Sequence, residues 1–89
     1  MTKLEEKLIE LGYEVDDWLS WSFTNVAYSK NYRMHNIVIY VDKDTQTYKW
    51  QRVLPLICYN NKQDIDNLQK AFNQLQKDLE VLKEYEKNN

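Results

Sequence analysis

Apolar residues recur at Ile65, Leu68, Phe72, Leu75, Leu79 and Leu82, at spacings of three, four, three, four and three. This a/d heptad predicts a helix from about Lys62 to Lys87 with a single narrow apolar stripe. At ~1.5 Å per residue the helix is roughly 39 Å long and its stripe covers about 27 Å. A helix of this kind is marginal by itself, so the stripe requires a surface to lie on. Two surfaces compete: the chain's own sheet, or a helix of another chain. The flanks, Asp64, Ala71, Asp78 and Tyr85 on one side and Gln69, Gln76 and Lys83 on the other, offer only one parallel charge pairing, Asp78 to Lys83. Packing on the chain's own sheet is therefore the preferred reading. The alternative is an intermolecular coiled coil, a homodimer included.

Ahead of this helix the pattern changes twice. Thr2 followed by Glu5 has capping-box spacing and predicts a helix with Leu4, Leu8, Leu11 and Ile9 on its buried stripe. Gly12, the chain's only glycine, falls where a helix end favours positive φ, with Tyr13 folding back on the last turn. From Tyr13 to Tyr59 the texture is β-branched and aromatic, holding ten of the twelve aromatic residues. Trp21 and Phe23 alternate with Ser20, Ser22 and Thr24, and this first strand continues to Tyr28. Ser29, Lys30 and Asn31 read as its turn. A second strand runs from about Tyr32 to Val41, with Ile37, Ile39 and Val41 on one face and Val38 and Tyr40 on the other. After a turn at Asp42–Thr45, a third runs from about Gln46 to Leu54. Pro55 marks an edge, a bulge or the exit from the sheet. Leu56–Tyr59 read equally well as a short fourth strand or as a crossing into the last helix, for which Asn60 or Asn61 serves as N-cap and Asp64 and Asp66 suit the first turn. Short turns make the strands antiparallel. The expected fold is α+β, an α-β-β-β-α arrangement with a three-stranded antiparallel meander packed by a long C-terminal helix, all within one domain over residues 1–89.

Composition narrows the functional classes. Twelve basic and fourteen acidic residues give a net charge of −2, too even for a strong field of either sign. Nucleic acid is thus not the expected partner. No apolar run reaches the roughly 18 residues of a membrane helix, and no membrane association is expected. Cys58 cannot form an internal disulfide and the start of the chain lacks a signal-peptide pattern, which points to the cytoplasm, the host's if the chain is phage-encoded. Asn, Lys, Ile and Tyr are abundant beside two alanines and two arginines, as in products of AT-rich genes.

No reaction is announced. His35 and Cys58 are single representatives of their kind, short of a dyad with an orienting group or of a metal site's three or four ligands. His35 reads as a strand surface residue, Cys58 as a small buried hydrophobe. One glycine cannot build a phosphate loop. The expectation is a protein that is not an enzyme and binds no cofactor. Instead the aromatics carry the functional reading. Tyr28, Tyr40, Tyr48 and Trp50 cannot all share the face of the aliphatic stripe, and an aromatic patch left on the opposite sheet face marks a protein-binding site. Tyr40, Tyr48, Trp50 and Arg52 are its expected residues.

The element order is also that of double-stranded RNA-binding domains, but NNKQDIDNL at the last helix lacks their lysine-rich start. LEEKLIELGYEV and NNKQDIDNLQKAFNQLQKDLEVLKEY resemble small phage and prophage proteins of low-GC Gram-positive bacteria. That resemblance implies an accessory factor acting on a host or phage protein. Such factors include inhibitors of host defence nucleases, type II anti-CRISPR proteins among them, although the near-neutral charge departs from their acidic DNA-mimicking members. A nucleic-acid-binding α-β-β-β-α module and a self-associating assembly protein are the alternatives.

Overall fold

A computed structural model describes residues 2–55 and 62–86. The elements are α1 (Lys3–Glu10), β1 (Glu14–Asp16), β2 (Asn25–Tyr32), β3 (His35–Asp42), β4 (Thr47–Pro55), α2 (Lys62–Leu82) and a closing 3₁₀ turn (Lys83–Tyr85). The strands form one antiparallel meander in the order β1-β2-β3-β4. The α+β class, the three long strands and both helices follow the sequence reading. The added strand is β1, which opens the meander. Leu56–Tyr59 and the Asn60 or Asn61 cap lie outside the described residues, as does Cys58.

Local chemistry sets the boundaries. The Thr2 hydroxyl accepts the Glu5 amide proton at 3.3 Å and donates to Glu5 Oε1 at 3.1 Å, so the carboxylate returns to the hydroxyl rather than to the Thr2 amide. At the other end of α1, Gly12 has φ of 100° and donates to the Ile9 carbonyl, while Tyr13 donates to that of Leu8, the Schellman pairing. The first long hairpin turns at Arg33 and Met34, both at positive φ, and not at Ser29–Asn31. Those three residues continue β2 because Lys30 is held inside. Trp21 and Phe23, read as strand, instead lie in the segment joining β1 to β2.

Both helices cover one sheet face. Leu4 and Leu8 of α1 and Ala71, Leu75 and Leu82 of α2 bury against Val26, Tyr28, Ile37, Ile39 and Val41. Within the seam, Leu75, Leu79 and Leu82 are absorbed by this core, whereas Ile65 and Phe72 remain exposed. The buried stripe has rotated onto Ala71 and Asp78, positions the heptad reading assigned to its flank.

Asp78 explains the rotation. Its carboxylate accepts from the Tyr13 hydroxyl at 2.7 Å and from Gln74 at 3.0 Å, and pairs with Lys30 at 2.7 Å. Lys30 also donates to the Leu11 carbonyl and sits over the Tyr13 ring. One buried charge pair thus ties α2 to β2 and to the end of α1. Burial and the Asp78 carboxylate push the Tyr13 hydroxyl far above its usual range. A second clamp joins Glu5 to the Tyr28 hydroxyl at 2.8 Å, with Lys43 at 3.8 Å. Burial raises the Glu5 pKa, but the hydrogen bonds from Tyr28 and Thr2 and the Lys43 charge outweigh it and leave the carboxyl below its ordinary value.

Candidate functional site

The sheet face opposite the helices carries Tyr40 and Trp50. Ala27, Val38 and Tyr40 are buried there beneath Leu19 and Leu54 in a small second core. What covers it is the β1–β2 connection, residues 17–24, which folds back across the strands. Its backbone is anchored at Leu19–Ser22 and at Thr24. Ser20 donates to the Asp16 carbonyl through both its amide and its hydroxyl, and that hydroxyl accepts the Ala27 amide at 2.9 Å. Leu19 donates to the Asp16 carboxylate, Trp21 and Ser22 to the Asn25 carbonyl, and Lys43 to the Thr24 carbonyl.

This anchored loop divides its aromatics. Trp21 stacks on Tyr40 with ring centroids 4.3 Å apart and meets Trp50 edge-on at 6.1 Å. Trp18 and Phe23 make no such contact and are 96 % and 99 % exposed. Trp50, on the strand beside Tyr40, is 59 % exposed. A depression of about 710 Å³ opens beside the loop, with Val15, Trp21, Phe23, Val26 and Lys43 in its walls. Exposed aromatic area of this kind, on backbone that is already ordered, can bind an apolar partner surface with little further ordering cost.

The four residues expected from the sequence do not form one surface. Trp50 and Arg52 are exposed on the outer face. Tyr40 shares that face but is buried at 2 % exposure under Trp21, and among the described residues its hydroxyl has no hydrogen-bond partner. Tyr48 points the other way. A bulge between Tyr40 and Val41 pairs Tyr40 with Trp50 and Val41 with Tyr48, so Lys49 is an extra residue and Tyr48 and Trp50 fall on opposite faces. On the helix side the Tyr48 hydroxyl donates to the Leu79 carbonyl at 3.3 Å, and burial with the nearby Glu86 and Glu80 charges raises its pKa. His35 is likewise buried on the helix face, with Nδ1 3.1 Å from the Arg33 carbonyl, and is no surface residue.

Sequence reasoning missed Trp18 and Phe23. The available signal was Asp16-Asp17-Trp18-Leu19-Ser20, where acids and serines that cap turns interrupt the apolar alternation. Among the described residues no group of three or more His, Cys, Asp or Glu could hold a metal ion. Among the same residues, no helix is long and apolar enough to cross a membrane. Comparison with protein-family models, with curated proteins and with solved structures found no match to this chain.

Proposed function

We propose that the protein works without catalysis, as a phage-type accessory factor that binds another protein through the exposed Trp18 and Phe23 of the β1–β2 connection together with Trp21 and Trp50 of the outer face. One observation carries the reading: Trp18 and Phe23 stand almost fully in solvent on a loop held by hydrogen bonds at the neighbouring Leu19, Ser20, Trp21, Ser22 and Thr24. Large aromatics on ordered backbone are what interface hot spots are made of. Arg52 at the rim adds a charged contact. The partner this favours presents an apolar pocket, and a host defence nuclease is the class that the phage-protein resemblance suggests.

Capture from a low-GC Gram-positive host extract, wild type beside Trp18→Ala and Phe23→Ala, tests the proposal. Both side chains are so exposed that folding should be unaffected, while each truncation should weaken a hot-spot contact by about 2 kcal/mol, roughly thirtyfold. A host protein held by the wild type and released by both variants supports the reading. Identical recovery with all three refutes it. For the nuclease partner, plasmid interference by a type II CRISPR system should be relieved by the wild type and not by the variants.

A further inference from the structure

We infer that two copies of this chain associate edge to edge through β4, extending the sheet across a two-fold axis at Gln51 and pairing their α2 helices over it. β4 is the last strand of the meander, with β3 on one side and, among the described residues, no strand on the other. The turn at Arg33–Met34 closes a hydrogen-bonded pair, Tyr32 with His35, so even-numbered residues of β3 bond to β4. Trp50, Arg52 and Leu54 face those residues. The backbone groups of Gln51 and Val53 therefore point outward. The Tyr48 amide, outward by the same count, is taken by Glu86 Oε1 at 3.2 Å, which closes one end of the edge. Among the described residues nothing bonds the outward groups of Gln51 and Val53.

The register follows from side chains. Antiparallel addition about a perpendicular two-fold must set like faces together, leaving centres at Gln51, Arg52 or Val53. A centre at Arg52 opposes two guanidinium groups. A centre at Val53 sets Gln51 against Pro55, which lacks an amide proton, and Arg52 against Leu54. A centre at Gln51 places Trp50 of each copy directly across from Arg52 of the other, in the closely spaced non-hydrogen-bonded position, forming two cation–π pairs.

The helices agree independently. α2 packs against both β3 and β4, and with strands about 4.8 Å apart its axis lies roughly 5 Å from the proposed midline. Two copies would stand about 10 Å apart, a normal helix packing distance. The row facing that edge contains Leu79, whose carbonyl binds Tyr48, followed at heptad spacing by Phe72 and Ile65, 45 % and 67 % exposed. Moving from Tyr48 to Gln51 covers roughly 7 to 10 Å, or about five to seven residues of helix. That brings the two-fold to within about a turn of Phe72. Phe72 then meets its own copy, with Ile65 against Leu79 on either side.

Sedimentation of the full chain alone, from low to high micromolar concentration, tests the inference without any other partner, so its failure is separable from failure of the aromatic-face proposal. The wild type should reach dimer. Gln51→Pro removes an outward amide and no intrachain ladder bond, and Phe72→Asp charges an exposed position. Both should melt like the wild type at concentrations where it is monomeric, yet remain monomeric at high micromolar concentration. Arg52→Glu should weaken association roughly tenfold or more. In a Cys58→Ser background, Gln51→Cys should cross-link to its own copy on oxidation, since hydrogen-bonded pairs hold Cα atoms about 5.5 Å apart. A wild-type monomer at the highest concentration, a dimer retained by both Gln51→Pro and Phe72→Asp, or a dimer in which Gln51→Cys does not cross-link would overturn the inference.

Discussion

Replacing Asp78 with alanine should come close to unfolding the protein. The carboxylate is almost wholly buried on the inner stripe of α2, where it pairs with Lys30 and accepts from Tyr13, both at 2.7 Å. Little solvent reaches the pair, since the two side chains are 13 % and 4 % exposed. Removing the anion leaves an ammonium group under α2 with, among the described residues, the Leu11 carbonyl and the Tyr13 ring to face. Breaking one side of a buried pair costs about 3 to 5 kcal/mol. Against a total stability of about 5 to 15 kcal/mol that is a large fraction, and in a domain this small it lowers the melting temperature by roughly 12 to 40 °C. Urea unfolding followed by far-ultraviolet circular dichroism measures it directly. Lys30→Met in the same chain should recover part of the loss, because it removes the stranded charge. An Asp78→Ala variant within about 1 kcal/mol of wild type, or a double variant showing no coupling, would refute the view that this pair locks α2 in its rotation.

Gly12→Ala should cost about 1 kcal/mol or more in the same urea assay, through φ of 100° and not through crowding, because the nearest atom to the added carbon would be Lys30 Cδ at 3.7 Å. Tyr40→Phe should leave the melting temperature unchanged or raise it, since it deletes a buried hydroxyl without a partner among the described residues; a fall of several degrees would contradict the geometry under Trp21. Glu5, lowered from its ordinary 4.5, contributes stability that is full above that pH and is lost as pH falls through the folded value. A pH series of melts should show this loss in the wild type and a reduced slope in Glu5→Gln.

Periodicity carried the architecture a long way. Thr2, Gly12 and the alternation from Ile37 to Val41 each placed an element where the structure has it, because each reports a local backbone demand. The failures arise where tertiary contacts override local preference. Ser29, Lys30 and Asn31 look like a turn by composition, yet Lys30 is drawn inward by Asp78, while the real turn uses Arg33 and Met34 at φ of 48° and 66°, with no glycine to signal it. Asp78 looked like a solvated flank because its partners lie 48 and 65 positions away in the chain. At the candidate site, Trp50 and Arg52 were legible from strand alternation. Tyr40 was assigned the correct face, but its cover, Trp21, comes from a segment that reads as strand. Tyr48 was misplaced because a bulge leaves no mark in a run of β-forming residues.

That bulge changes how β4 can tolerate gain or loss of a residue. In a regular strand a one-residue deletion sends every following side chain to the wrong side. Lys49 is the exception: with it removed, Tyr48 and Trp50 become consecutive, Val41 and Tyr40 still oppose them, and both faces keep their assignment. Inserting a residue anywhere between Trp50 and Leu54 would instead turn the residues after it to the opposite face. Position 49 is therefore a slack link, where the strand can change length without changing what either side presents.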